Sequence, residues 1–155
     1  MREKWIKEIS VTPTVTLNAY TAGDVVGGLM TFEVRGGPAS GEIRRIRLVD
    51  DADQKEQYTL LIHNDTPSTI ANDAAYAPVV ADLAMIIDEV VVATADWSTW
   101  NGNAVAMIAG YENGEMHIPF HTEDGSLYVY AVATDTPDYA AATDLTIIMT
   151  VEAWF

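Results

Sequence analysis

The sequence LYVYAV at residues 127–132 and the sequence LTIIMTV at residues 145–151 are the clearest strand signals in the chain. Both stretches are rich in β-branched and aromatic residues, which favour the extended backbone of a β-strand. Residues 135–139 between them contain Pro137 and two aspartates, which is typical of a loop. These segments predict a fold that is built from β-strands.

A third segment shows which kind of sheet to expect. In residues 42–49, Ile46 and Leu48 fall on one face of an extended chain, and Arg45 and Arg47 fall on the other. An alternation of apolar and charged residues is typical of an antiparallel strand with one face on the core and one in solvent. The segment therefore predicts an antiparallel sheet with a charged outer face.

The remaining strand candidates are bounded by turn residues. They are residues 5–11, 25–34, 57–63, 86–95, 104–111 and 115–120. Gly27-Gly28 indicates a bulge or a close backbone approach, and Asn113-Gly114 predicts a hairpin turn. Helical turns are predicted only after Asp73 and Asp82, where each aspartate would be an N-cap.

Eight or nine strands with little helix predict an all-β fold, namely a jelly-roll-like antiparallel β-sandwich. We predict a single domain over residues 17–155, with at most one or two short helical turns. Residues 1–16 contain Pro13 and several charges, and we interpret them as a possible N-terminal arm. The alternative is that residues 5–11 add a strand to the sandwich.

Composition narrows the function classes. The 155 residues include no cysteine, which excludes disulfides, thiolate metal sites and cysteine nucleophiles. No apolar run reaches the 18 residues of a membrane span, and a net charge of −15 opposes binding to nucleic acid. We therefore expect no membrane and no nucleic acid as partners, and synthesis in a cytoplasm.

The charges are segregated along the chain. All eight Lys and Arg residues lie within residues 1–55, which also hold eight acids, whereas the remaining hundred residues hold 15 acids and no Lys or Arg. One interpretation is a solvated acidic surface that favours solubility. The other is that the neutral N-terminal third faces a partner while the acidic remainder faces solvent.

Residues with catalytic or metal-binding chemistry form no recognisable site in the sequence. His117 and His121 are four residues apart in a segment that looks extended, where they would be roughly 13 Å apart and could not share one metal. His63 is interpreted as a histidine at the edge of the core. The acids of residues 50–53 lack the glycine and terminal glutamate of an EF-hand loop. We predict no enzyme activity, no metal and no cofactor, with a small β enzyme that uses paired carboxylates as the alternative.

Three aromatic residues could form a binding surface. Trp97, Trp100 and Tyr111 lie in or near a predicted loop at residues 96–102. Flat aromatic faces stack on sugars or on partner side chains, whereas a tryptophan can equally well cap the end of a small core. Both interpretations are open at this point.

Several stretches resemble a group of small tailed-bacteriophage proteins that are found with head genes. They are TPTVTLNAY at residues 12–20, GDVVGG at 23–28, PSTIANDAA at 67–75, LYVYAV at 127–132, TPDY at 136–139 and DL at 144–145. The resemblance implies a virion structural protein with a jelly-roll-like fold, and specifically a capsid decoration (cement) protein. Such proteins sit as homotrimers where capsomers meet and clamp neighbouring subunits of the major capsid protein.

The resulting prediction is a trimeric decoration protein on the capsid exterior, made in the host bacterial cytoplasm. Because every basic residue lies in the first third of the chain, we predict that the partner is contacted by Trp5, Ile6, Ile9, Arg44, Arg45 and Arg47. The alternative is a head-fibre or tail module that binds a carbohydrate or receptor through Trp97, Trp100 and Tyr111.

Overall fold

The computed structural model describes residues 3–108 and 116–154 as two antiparallel β-sheets that pack face to face. The strands are β1 (Lys4–Val11), β2 (Val25–Glu33), β3 (Ala39–Asp50), β4 (Tyr58–His63), β5 (Ile86–Val92), β6 (Trp97–Trp100), β7 (Asn103–Met107), β8 (Ile118–Thr122), β9 (Ser126–Ala133) and β10 (Leu145–Trp154). A six-stranded sheet has the order β1-β10-β3-β7-β6, with β8 paired to the first half of β3. A four-stranded sheet has the order β2-β9-β4-β5. Helix α1 (Val80–Leu83) and a 3-10 turn (Thr94–Asp96) complete the elements of this part of the chain.

The pairing of the strands is that of a jelly roll. When the β6–β7 hairpin is set aside, each strand pairs with the strand that is equally far from the other end of the series. The pairs are β1 with β10, β2 with β9, β3 with β8, and β4 with β5, all antiparallel. A long hairpin rolled up into two sheets has this pattern. The predicted all-β, jelly-roll-like sandwich is confirmed, and the β6–β7 hairpin is an addition that widens one sheet.

The core lies between the two sheets and follows from the alternation of each strand. In β10 every second side chain, from Leu145 to Ala153, is buried, and the residues between them face outward. Strand β9 is buried on both faces except at Val132, because a further layer covers the outside of its sheet. Trp5 and Ile9 of β1 are half-buried and pack against the core.

That further layer is the segment of residues 64–85, which connects β4 to β5. Ile70 and Tyr76 of this segment pack against Val25, Leu61 and Tyr130 on the outer face of the four-stranded sheet. The hydroxyl of Tyr130 accepts a hydrogen bond from the Ile70 N–H at 2.8 Å. The outer face of the four-stranded sheet is therefore covered by the chain itself.

Two stretches that carry the phage resemblance meet in the core. The rings of Tyr20 and Tyr139 are both buried and pack edge to face with centroids 6.3 Å apart. The Tyr20 N–H donates to the Pro137 carbonyl at 2.9 Å. The stretches at residues 12–20 and 136–139 therefore contribute to the packing of the core.

The predicted N-caps are corrected by the structure. Asp73 has a positive φ of 65° and lies in a turn. Asp82 is the third residue of α1, whose N-cap is Val79. The Asp82 carboxylate instead accepts the Ser68 N–H at 3.0 Å, so it anchors the 64–85 segment.

No helix in the described residues is long and apolar enough to cross a membrane.

Several strand boundaries also differ from the expectation. Residues 96–102 were expected to form a loop, yet Trp97–Trp100 is strand β6, because it pairs with β7. The predicted strand 86–95 ends at Val92, and residues 94–96 turn into the hairpin. Lys4–Val11 pairs with β10 along its whole length, so the structure has an edge strand within residues 1–16. Asn113-Gly114 lies outside the described residues.

The glycine pair of β2 forms the expected irregularity. Gly27 and Gly28 have φ values of 79° and 71°, and the register with β9 shifts between Val26 and Met30. A Cβ atom on Gly27 would lie 2.4 Å from the Pro13 Cβ. The bulge therefore permits a close approach of the chain that follows β1.

Candidate interaction surface on the six-stranded sheet

The outer face of the six-stranded sheet is formed by side chains that alternate with the buried ones. We call it the open face, because the 64–85 segment covers the other sheet. Its main outward residues are Lys4, Ile6 and Glu8 of β1; Glu42, Arg44, Arg45, Arg47 and Val49 of β3; Trp100 of β6; Val105 and Met107 of β7; and Ile148, Thr150, Glu152 and Trp154 of β10. The face divides into a charged half and an apolar half along the length of β3.

The charged half surrounds Glu152. Its carboxylate accepts a hydrogen bond from Lys4 Nζ at 2.7 Å and from Arg44 Nη2 at 3.0 Å. These two cations, Lys4 first, lower the pKa of Glu152 below its ordinary value. Arg44 also contacts the Glu42 carboxylate at 3.4 Å. Together with Trp154, these residues line a depression of 380 Å³.

Every carboxylate that β1, β3 and β10 place on the open face is paired with a base. Glu8 binds Arg47 Nη2 at 2.7 Å, and Glu42 and Glu152 bind Arg44. Arg45 is exposed and makes no ion pair with the residues that the structure describes. These three strands thus place four basic residues and three acids on the open face, on a chain whose net charge is −15.

The apolar half lies where β7 and β6 extend the sheet. Val49 pairs with Val105, and Arg47 pairs with Met107, so Val105 and Met107 continue the outer face. Trp100 is 71% exposed and Met107 is 49% exposed. A groove of 370 Å³ lies here and is lined by Trp100, Val105, Met107, Ala95, Asp96 and Ser98. Exposed large apolar side chains grouped on one face are typical of an interaction surface.

The structure brings some of the predicted contact residues together and separates others. Ile6, Arg44, Arg45 and Arg47 lie on the open face, and Ile6 is 72% exposed. Trp5 and Ile9 are on the opposite side of β1 and face the core, since successive side chains of a strand alternate. Trp5 and Ile9 therefore pack against the core, on the opposite side of the sheet from the basic cluster.

The aromatic trio is likewise separated. Trp97 is buried in the core, and its Nε1–H donates to the Glu56 carbonyl at 2.9 Å. Trp100 is exposed on the open face. Tyr111 lies outside the described residues. Of the three aromatic residues predicted to face a ligand, Trp100 is therefore the one that is exposed among the described residues.

Asp50 is a buried carboxylate with a structural role. One of its oxygens accepts the Ala52 N–H at 2.8 Å, and the other accepts the N–H groups of Gln54 and Lys55 at 2.8 and 3.3 Å. Burial raises the pKa of this carboxyl, and the three hydrogen bonds oppose that shift. The acidic residues 50–53 therefore form a turn that is organised around Asp50.

Each of the three histidines contacts another residue of the chain through a ring nitrogen. No group of three or more metal-ligating side chains is present in the described residues. His117 Nδ1 accepts from Arg44 at 2.7 Å, and His121 Nε2 contacts Glu123 at 2.9 Å. His63 is fully buried, and its Nδ1 bonds the Tyr128 carbonyl at 3.2 Å.

Sequence analysis missed the apolar half of the open face. Its residues are far apart in the sequence: Val49, Val105, Met107 and Ile148. Because residues 96–102 were predicted to be a loop, the β6–β7 hairpin that extends this face was not predicted. One signal was available in the sequence, namely the alternation of the small residues Ala104 and Ala106 with the larger residues Val105 and Met107. In the structure the two alanines are buried and the larger residues point outward.

Comparisons with known proteins give no family. No family model matches the chain, and no curated protein matches it. Among solved structures, the chain is similar to one described as "Sacbrood virus of honeybee - expansion state I". The identity is 13%, the match covers 100% of this chain and 85% of that chain, and the TM-score is 0.29. The order of the strands in the two sheets is what identifies the jelly roll.

Proposed function

We propose that this protein is a virion structural protein, and specifically a capsid decoration protein that binds the assembled shell on its exterior. The observation that carries the proposal is the asymmetry of the sandwich. One outer face is covered by residues 64–85, whereas the open face exposes Ile6, Trp100 and Met107 beside paired charges. Such a face is suited to contact with another protein.

The distribution of charge supports the same role. A chain with a net charge of −15 repels other acidic surfaces, and the open face is the place where basic residues balance the acids. Contact through that face leaves the acidic remainder of the surface in solvent. A particle decorated in this way would stay soluble.

The proposed activity involves no chemical reaction. A protein that binds the assembled lattice and not the free subunit stabilises the assembled state by mass action. The phage resemblance implies a homotrimer, in which several weak contacts act together and raise the effective concentration. The proposed partner is the major capsid protein.

The test is a binding assay with shells and free subunits. Purified protein is sedimented with emptied shells that are assembled from the major capsid protein encoded in the same genome. We expect saturable binding to shells, no binding to unassembled subunits, and a trimer by native mass spectrometry. Equal binding to free subunits, or no binding to shells, would contradict the proposal.

The predicted role of the N-terminal segment calls for point substitutions. Removal of residues 1–12 would delete β1, an edge strand that pairs with β10 along eight positions, and would disturb the sheet itself. Ile6→Ser changes an exposed side chain and leaves the strand pairing in place. Reduced occupancy of shells by Ile6→Ser would place β1 in the contact, and unchanged occupancy would remove it.

Carbohydrate binding is the second candidate, and the exposed ring of Trp100 favours it. The ring lies beside a groove that also contains the polar residues Asp96 and Ser98. A glycan array probed with the protein and with Trp100→Ala tests this function. A glycan signal that is lost in the variant would support it, and an array without signal would exclude the glycans tested.

A further inference from the structure

We propose that the open face recognises a partner protein segment that combines a carboxylate, placed against Arg45, with an apolar side chain, placed in the groove beside Trp100. This inference rests on the proposed function, because it specifies the partner surface of the same contact. It adds the chemistry of the partner and the two positions at which recognition takes place.

Arg45 is the first position of recognition. The other three bases of the open face have carboxylate partners, at 2.7 Å for Lys4, 3.0 Å for Arg44 and 2.7 Å for Arg47. Arg45 is exposed and has no such partner in the described residues. A guanidinium that is covered by a partner loses its water and needs an acceptor, for which a carboxylate is the best match. Charge complementarity therefore predicts an acidic residue at this point of the partner.

The groove beside Trp100 is the second position of recognition. Its volume of 370 Å³ and its lining of Trp100, Val105 and Met107 fit an aliphatic or aromatic side chain. Tryptophan and arginine are the residues that most often dominate the energy of protein interfaces. The hairpin of β6 and β7 is additional to the eight paired strands of the jelly roll, and it exposes Trp100 and Met107.

The two positions are close enough for one extended segment to reach both. Met107 pairs with Arg47, and Arg45 lies two residues before Arg47 on the same face of β3. Two residues along a strand span about 7 Å, and neighbouring strands are about 5 Å apart. One extended segment with an acidic residue and an apolar residue two positions apart can therefore reach Arg45 and the edge of the groove together.

A second copy of this chain fits the open face less well than a foreign segment. In a contact between the open faces of two copies, the acids of β1, β3 and β10 are already bound to Lys4, Arg44 and Arg47, so they are not available to Arg45 of the other copy. Self-association through Arg45 is therefore an outcome that would contradict the proposal.

The experiment measures binding of four variants to the assembled shells described above. Arg45→Glu is matched by Lys55→Glu, which makes the same change in charge at a base outside the open face. Trp100→Ser is matched by Val91→Ser, which removes a 61% exposed apolar side chain from β5 of the other sheet. Circular dichroism and thermal unfolding confirm that all four variants are folded.

We expect Arg45→Glu and Trp100→Ser to weaken binding by about thirtyfold or more. The two matched controls should bind within about threefold of the original chain. Binding of the original chain should also weaken as salt is raised. This dependence should be reduced in a fifth variant, Arg45→Gln, because one ion pair is lost. An excess of a short peptide with an acidic and an apolar residue two positions apart, taken from the shell protein, should compete with shells.

The outcomes separate the two proposals. If the original chain does not bind shells, the proposed function is wrong. If it binds and Arg45→Glu binds as well as Lys55→Glu, the function stands and this inference is wrong. Self-association of the original chain that is abolished by Arg45→Glu in the absence of shells would assign the face to a second copy and would also overturn the inference.

Discussion

At the scale of single residues, the clearest structural determinant is a buried acid. Asp50 is fully buried at the end of β3 and accepts three backbone N–H groups from the turn that follows. We expect Asp50→Ala to lower the free energy of unfolding by about 2–4 kcal/mol, because three donors lose their acceptor. Urea unfolding measures the effect. The neighbouring Asp51→Ala, which alters an exposed side chain, should change stability by less than about 0.5 kcal/mol, and equal effects of the two substitutions would contradict this role.

His63 gives a residue-scale prediction on pH. Burial lowers the pKa of this histidine below its ordinary value of 6.5, and its Nε2 has no partner in the described residues. As the pH falls, His63 therefore takes up a proton in the unfolded chain before it does so in the folded chain. The stability that the neutral, buried His63 allows is complete above pH 6.5 and is lost as the pH falls toward the pKa of the folded state. The loss is about 1.4 kcal/mol for each unit by which the pKa is lowered.

The measurement compares the original chain with His63→Leu at pH 7.5 and pH 5.5. The difference in unfolding free energy between the two proteins should shift in favour of the variant at the lower pH. His121→Asn, which changes an exposed histidine, serves as the control. A difference that is independent of pH would show that His63 does not titrate differently on folding.

At the scale of elements, the 64–85 segment is held on its sheet by a tyrosine hydroxyl. The Tyr130 hydroxyl accepts from the Ile70 N–H at 2.8 Å and donates to the Ser68 carbonyl at 2.6 Å. We expect Tyr130→Phe to cost about 1–2 kcal/mol and to speed amide hydrogen exchange at Ile70. Tyr76→Phe is the matched control, because the Tyr76 hydroxyl is buried in the same layer without a partner among the described residues. Its removal should be neutral or stabilising, and the opposite order of the two variants would contradict the argument.

The β6–β7 hairpin shows how one element changes the use of a sheet. Its inward residues Ala104 and Ala106 are fully buried, whereas its outward residues Trp100 and Met107 are exposed. Because Trp97 of β6 is also buried, the hairpin adds one large side chain to the core, and it adds the exposed apolar area of Trp100 and Met107 to the open face. Its position beside the second half of β3 places that area next to the basic residues of the same strand.

At the scale of the whole molecule, the net charge of −15 sets the response to salt. Like charges repel across a compact surface, and the repulsion is smaller in the expanded unfolded chain. We expect the melting temperature to rise by several degrees as NaCl is raised from about 20 mM to about 300 mM, because screening shortens the range of the repulsion to less than about 10 Å. Differential scanning calorimetry measures the shift. A melting temperature that falls with salt would show that the ion pairs of the open face outweigh the general repulsion.

The two sides of the sandwich differ in what they leave exposed. The four-stranded sheet is covered by residues 64–85, and helix α1 lies in that cover. The six-stranded sheet has no such layer in the described part of the chain, and its outer face contains both the basic cluster of β3 and the exposed Trp100. The proposed attachment therefore has a defined direction, with the open face toward the partner.

The amount that could be predicted from the sequence differs from one residue to the next. The alternation around Ile46 and Leu48 correctly predicted the buried and outward sides of β3, because it is a local property of an extended chain. The separation of Trp97 from Trp100 could not be predicted in this way. Both are tryptophans in one short stretch, and only the pairing of β6 with β7 buries the first and exposes the second.

The sequence by itself determined the class of fold, the inward and outward sides of its best strands, and the confinement of the basic residues to the first third. These properties depend on neighbouring residues and on composition, so they can be read along the chain. Tertiary structure alone decided that, among residues 3–108 and 116–154, Arg45 would have no carboxylate partner while Arg44 and Arg47 bind Glu152 and Glu8. It also decided that residues 64–85 would cover one sheet and leave the other open. The physical reason is that ion pairs and covered faces join residues far apart in the chain, and their contacts exist only after the sheets have formed.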